Sequence, residues 1–340
     1  MSKENPSSLN RRNFLKTSVT AAGLAGLGSL GGTSAATAAT PNAALRGKPN
    51  ILIIMTDEER YPPPYESAEL ANFRKKYLKT RETLRSTGIE FQRHYTSSVA
   101  CAPSRSCFFT GHYPSLHGVA NTDGSAKSAH DPDMFWLNPD TVPTIGNYFR
   151  QAGYRTLYKG KWHISDADLK VPGSRQSLPS YDEDGNRDPE MEARYLAAGR
   201  LERYGFTGWI GPEPHGTDPM NSASSVRGKK GRDQGIASQA VDLLAELDAN
   251  PDDTPWLMVC SLLDPHDITT YGFFTRLASQ AQGAWDYAIE DVVPQALFDE
   301  QFKLSRADTL RRKPRCQRSY WQTYRKSFQP SYANDDYYRL

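Results

Sequence analysis

Asn50-Ile51-Leu52-Ile53-Ile54-Met55, closed by Thr56-Asp57-Glu58-Glu59-Arg60, is the stretch on which the fold turns. This short continuous apolar run of β-branched character, bounded by polar residues, reads as a strand buried on both faces, the pattern of a parallel sheet. After the turn Tyr61-Pro62-Pro63-Pro64, a helical stripe follows at Leu70, Phe73, Tyr77 and Leu84 and stops at Gly88. Residues 89–95 read as a second strand. Asp140-Thr141 can cap a helix carrying Val142, Ile145, Tyr148 and Phe149 up to Gly153, and residues 154–158 read as a third strand. A further helix presents Ile236, Ala240, Leu243 and Leu247 on one face and leads into the apolar run 256–263. Strands alternating with amphipathic helices imply an α/β fold, a predominantly parallel central sheet with helices on both faces.

Such sheets collect ligands at the carboxyl ends of their strands. Here those ends are Asp57-Glu58, Gly160-Lys161-Trp162-His163 and Asp264-Pro265-His266-Asp267. Each is commonplace alone, as a solvated turn, a cap or a loop histidine. Delivered to one edge of one sheet, they suggest an anion site beside a metal.

The segment Cys101-Ala102-Pro103-Ser104-Arg105-Ser106-Cys107-Phe108-Phe109-Thr110-Gly111 places a cysteine at the start of a short helix, with Pro in its first turn. A helix N-terminus offers unpaired N–H groups and positive potential to an anion or a charged nucleophile. Arg105, four residues on, lies on the same face and can hold an oxygen at position 101. From the residues alone this is either an activated thiolate or a buried structural cysteine.

Composition narrows the class. The chain has 340 residues, 38% hydrophobic and 24% charged, which excludes disordered and collagen-like architectures. No apolar run reaches the ~20 residues of a membrane span. Cys101, Cys107, Cys260 and Cys316 are too few and too scattered for a disulfide scaffold, and no CxxC pair suggests structural zinc. Residues 1–38 carry Arg11-Arg12, an Ala/Gly/Leu run from Val19 to Gly32 and small residues at Ser34-Ala35-Ala36, the order of a twin-arginine signal peptide. Without them the net charge of +2 becomes −1, and no nucleic-acid surface is implied. The expected organisation is a leader over 1–38, a linker over 39–47 and a catalytic region over 48–340. Export to the periplasm or the extracellular space follows.

Cys101-x-Pro-Ser-Arg105 followed by Thr110-Gly111 resembles the signature of the cysteine-type sulfatases of the alkaline-phosphatase-like superfamily. Pro49 to Asp57, Gly160 to His163 and Asp264 to Asp267 resemble further sulfatase segments in the same order. The resemblance implies a sulfuric ester hydrolase in which a separate maturation enzyme oxidises Cys101 to formylglycine. The hydrated aldehyde then attacks the sulfur of a sulfate ester. It further implies a divalent cation, calcium before magnesium or manganese, held by Asp57, Glu58 and the converted Cys101. Arg105 would steady the nucleophile, Lys161 and His163 would contact the sulfate and the nucleophile's hydroxyls, and His266 would lie near the leaving oxygen. Glu58 stands where many sulfatases have aspartate, which leaves a phosphonate monoester or phosphodiester hydrolase as an alternative. No strand after His266 leads into the family's later Asp-His/Asn-Gly ligands; the nearest candidate, Asn334-Asp335-Asp336, reads as a helix start. The expectation is therefore a catalytic domain lacking its C-terminal part, with an inactive remnant as the third reading. The loops over 171–231 read as a pocket wall or lid; Tyr181, Trp209 and His215 are candidate lining, though each reads first as an exposed or core-packing residue.

Overall fold

The computed structural model describes residues 47–62, 68–123, 127–182, 184–213, 223, 230–267, 315, 316 and 319. The chain divides into two units, Met1–Gly47 and Lys48–Leu340, and the architecture is that of the second. The leader, His215 and Asn334-Asp335-Asp336 lie outside the described residues.

Among the described residues three parallel strands form the sheet: β1 (Ile51–Asp57), β2 (Arg155–Gly160) and β3 (Trp256–Pro265), in the order β1-β3-β2. β1 runs in register from Ile51 opposite Leu257, and β2 from Arg155 opposite Trp256. The helices are α1 (Ala68–Tyr77), α2 (Lys79–Thr87), α3 (Cys101–Thr110), α4 (Pro114–His117), α5 (Ile145–Gln151), α6 (Pro189–Ala198) and α7 (Arg232–Ala249).

β3 is central because its side chains are apolar on both faces. Leu257 and Val259 enter a core with Tyr158, Phe109, Trp162, Phe206 and Trp209. Met258 and Cys260 point into a second core with Leu157 and with Ile236, Ala240 and Leu247 of α7. Each large side chain so buried contributes about 1.5–3 kcal/mol, and the two cores pin β3 from opposite sides. Among the described residues, no helix is long and apolar enough to cross a membrane.

The α/β class, the parallel sheet with both faces covered, α7 and the strand before Asp264 follow the sequence reading. Four details differ. Among the described residues β1 is an edge strand whose exposure alternates, with Leu52 41% and Ile54 56% exposed, so only one of its faces is buried there. Residues 89–95 form no strand; Ile89, Phe91 and Tyr95 are at least 75% exposed. β-Branched and aromatic residues favour a strand only where a neighbouring strand pairs with it, and none does among the described residues. The stripe up to Gly88 is two helices broken at Leu78, and α2 buries no residue. α5 begins after Thr144, not Asp140-Thr141. Thr144 Oγ1 accepts the Gly146 N–H, and the Asn147 side chain accepts the Thr144 N–H, a capping box.

Candidate active site

The three strands end on one edge of the sheet and α3 begins there. β1 ends at Asp57, which is 7% exposed. α3 begins at Cys101; its N-cap, Ala100, has no side-chain acceptor, so the first-turn N–H groups are not capped from that residue. Arg105, one turn into α3, is buried. Its Nη1 donates to the Lys161 carbonyl at 2.7 Å and to Ser261 Oγ at 2.9 Å, and its Nη2 lies 3.5 Å from Asp57 Oδ2. Lys161 Nζ donates to the same Asp57 oxygen. One carboxylate oxygen thus receives both cations. Burial alone would raise the Asp57 pKa, but Arg105 and Lys161 overcome it and hold the carboxyl below its ordinary value.

The loop Gly160-Lys161-Trp162-His163 is tied down at every residue. Gly160 takes φ +91°, and a Cβ there would sit 2.0 Å from the Ser261 carbonyl oxygen, so only glycine lets β2 leave the sheet at this point. The Gly160 carbonyl accepts the Trp209 indole N–H at 2.9 Å, and the Lys161 N–H donates to Ser261 O at 2.9 Å. Tyr158 donates its hydroxyl to the Lys161 carbonyl at 2.7 Å. Glu213 then accepts two successive backbone N–H groups, from Trp162 at 3.1 Å and His163 at 2.7 Å, one on each carboxylate oxygen. Burial and the nearby Asp168 push the Glu213 pKa up to about 8, against the pull of those donors.

β3 ends in a matching clip. Asp233, near the start of α7, accepts the N–H groups of Leu263 and Asp264 at 2.7 and 2.9 Å. That fixes the segment carrying His266. His266 Nδ1 lies 2.9 Å from Asp267 Oδ1, and the imidazole also engages the Cys101 side chain. Those two hydrogen bonds outweigh burial and raise its pKa to about 9, so the ring is cationic at neutral pH.

Asp57, Cys101 and His266 form one group, each with a donor atom within 4.8 Å of the others. Asp57, Glu58, Cys101 and Arg105 line a cleft of about 950 Å³. Glu58, expected beside Asp57 as a ligand, is exposed at φ +61° and is not part of that group; His266 is. His163 is buried, with Nε2 2.5 Å from Asp123 Oδ1. Tyr181 stacks under the Arg232 guanidinium and Trp209 is a core residue, and neither lines the cleft. Ser261, Glu213, Asp123 and Asp233 were not legible as site residues. Their partners lie roughly 30 to 160 positions away, and no local pattern signals them.

The donor set can be tested against a bound cation. Calcium takes six to eight oxygens. Among the described residues the thiol form of the group offers one carboxylate, one sulfur and one imidazole, which does not fit it. Converting residue 101 to an oxygen donor gives, with Asp57, an oxygen pair of the kind a hard cation takes.

Comparison with known proteins gives the family. The sulfatase family model matches residues 49–283, and the chain belongs to the sulfatase family. It is 30% identical over 226 residues to the uncharacterized sulfatase YidJ of Escherichia coli (strain K12), covering 64% of this chain and 39% of that one. It is 28% identical over 232 residues to the choline-sulfatase of Rhizobium meliloti (strain 1021), covering 65% and 39%. The chain therefore spans about two fifths of the length of these relatives. A solved structure from Bacteroides thetaiotaomicron, from a locus for metabolism of multiple glycosaminoglycans, aligns with TM-score 0.42 and 16% identity, over 77% of this chain and 53% of that one.

Proposed function

We propose that this chain hydrolyses a sulfate monoester with residue 101 as the nucleophile, after conversion of Cys101 to formylglycine by a separate maturation enzyme. The observation that carries the reading is the position of Cys101: it stands at an uncapped helix N-terminus, in one group with Asp57 and with the protonated His266. Formylglycine, when hydrated, supplies two hydroxyls, one to attack sulfur and one to release sulfate as the carbonyl re-forms. A divalent cation such as calcium, held by Asp57 and the converted residue, would neutralise charge on the sulfate oxygens.

The chain's own residues do the rest. The helix N-terminus favours negative charge at position 101. Arg105 and Lys161 place two positive charges beside Asp57, where the non-bridging oxygens of a bound sulfate would lie, and their charge is already desolvated and held. His266 can hand a proton to the leaving oxygen, with Asp267 supporting the positive ring. His163, paired with Asp123, is the candidate contact to the substrate's remaining oxygens. The twin-arginine leader over 1–38 and export to the periplasm or beyond belong to the same reading.

The test is turnover of an aryl sulfate against the matching aryl phosphonate by chain converted at residue 101. Sulfate release lost in Cys101→Ala supports the reading. Turnover of the phosphonate alone moves the assignment to the phosphonate monoester hydrolases.

A further inference from the structure

We propose that the chain, before its cysteine is converted, holds zinc through Asp57, Cys101 and His266. This goes beyond the hydrolase reading and does not rest on it, because it concerns the thiol form and a metal of different chemistry.

Three ligand atoms of three kinds, a carboxylate oxygen, a sulfur and an imidazole nitrogen, lie within 4.8 Å of one another. Four-coordinate zinc at 2.0–2.3 Å from its ligands needs them roughly 3.5 Å apart, a small contraction. Mixed S, N and O donors select borderline metals over calcium or magnesium, which take oxygens. The imidazole is oriented as zinc-binding histidines are: Nδ1 is held by the Asp267 carboxylate at 2.9 Å, while the ring meets the Cys101 side chain. On Asp57, Lys161 and Arg105 both engage Oδ2, which leaves Oδ1 to a metal. Those two cations oppose a dication; zinc takes the place of the Cys101 thiol proton and of the proton on His266, both of which leave to solvent, and the negative charges of Asp57 and the resulting thiolate offset the cations. Asp57 is buried, Cys101 and His266 are half-buried, and the cleft that Asp57 and Cys101 line gives an ion its entry path. Conversion would replace sulfur with oxygen at position 101 and remove the soft donor, so zinc and maturation compete for one residue.

The experiment uses the full 340-residue chain, produced without a cysteine-converting enzyme and without a histidine tag, its thiol confirmed by mass. Cobalt(II) is titrated in as the zinc probe and read by its near-ultraviolet thiolate-to-cobalt charge-transfer band. The expected result is one cobalt per chain, displaced by one zinc and retained in a hundredfold excess of calcium. The band is absent in Cys101→Ala, and affinity falls at least tenfold in His266→Ala. Zinc also slows alkylation of Cys101 by iodoacetamide at least tenfold. Circular dichroism of both variants checks that they fold; if either does not, Cys101→Ser takes its place and loses the band as well. The proposal is overturned by a folded thiol chain with no charge-transfer band, or by a band that survives Cys101→Ala and so belongs to another cysteine. Displacement of cobalt by calcium overturns it too. Sulfate release by converted chain is read separately: its absence leaves a positive cobalt result standing, and its presence beside a negative one overturns the zinc site alone.

Discussion

Arg105 shows how much one side chain does at this site. Its guanidinium spans three acceptors on three strand ends: Asp57 of β1, the Lys161 carbonyl beyond β2 and Ser261 of β3. A lysine at 105 keeps the charge but loses the planar fork. Arg105→Lys is therefore expected to cut kcat/KM for a sulfate ester at least a hundredfold, and to lower stability by about 2 kcal/mol through the stranded acceptors, read by steady-state kinetics and urea denaturation. Glu213 acts at one remove, through the backbone of Trp162 and His163. Burial raises its pKa from the ordinary 4.5 to about 8, so between those values the native state binds more protons than the unfolded chain. Stability contributed by this group is full below pH ~4.5 and falls as pH rises toward 8. Denaturation from pH 5 to 8 is expected to show that downward slope in the wild-type chain and a shallower one in Glu213→Gln, the remainder above pH ~6.5 belonging to His266, whose pKa is also raised; an unchanged slope in the variant assigns it elsewhere.

Among the elements, the legible ones carry their signal locally. α3 follows from Pro103 and Gly111 around the signature, α7 from Ile236, Ala240 and Leu247, and β3 from an apolar run that needs cover on both faces. Residues 89–95 misled because strand character depends on a partner that sequence does not name. The break at Leu78 is invisible to periodicity, since Phe73, Tyr77 and Leu84 keep a helical spacing across it. At the site, Asp57, Cys101, Arg105, Lys161 and His266 were readable as strand ends and a helix start. Glu213 and Asp233 were not, because a carboxylate that clips distant N–H groups looks like any acidic loop or helix residue. Two glycine and cap positions test the element boundaries. Gly160→Ala puts a methyl group against the Ser261 carbonyl and forces φ +91° on alanine, so it is expected to unfold the chain at 37 °C or cost about 3 kcal/mol. Thr144→Ala removes the cap of α5 and is expected to cost about 1 kcal/mol with the site untouched. Thermal denaturation of the two variants separates a site-bearing turn from a remote one.

Over the whole molecule, the two cores do different work. The aromatic one packs Phe109, Tyr158, Trp162 and Phe206 ring to ring, with Trp209 in the same core, and so joins α3, through Phe109, to the Lys161 loop, through Trp162. The aliphatic one, under α7, tolerates a buried charge on the same strand. Lys159 is 6% exposed, and burial lowers its pKa to about 8, with Arg187 adding to the shift against Glu192, Glu246 and Asp242. The native state thus binds fewer protons than the unfolded chain between pH ~8 and 10.5. Its penalty is full below that window and relieved above it. Lys159→Met is expected to stabilise the chain by about 1–3 kcal/mol at pH 7 and by less at pH 10, measured by denaturant titration at the two values. That residue plays no part in the proposed chemistry, so turnover is unchanged.

The central claim is that residue 101 is the nucleophile for a sulfate ester. Its most direct measurement is sulfate release from an aryl sulfate by preparations of the chain with increasing fractions of residue 101 converted to formylglycine, each fraction fixed by peptide mass. The account predicts release in proportion to the converted fraction, and none from the thiol form or from Cys101→Ala. Release that is independent of conversion, or a folded and fully converted chain that releases no sulfate, would contradict it.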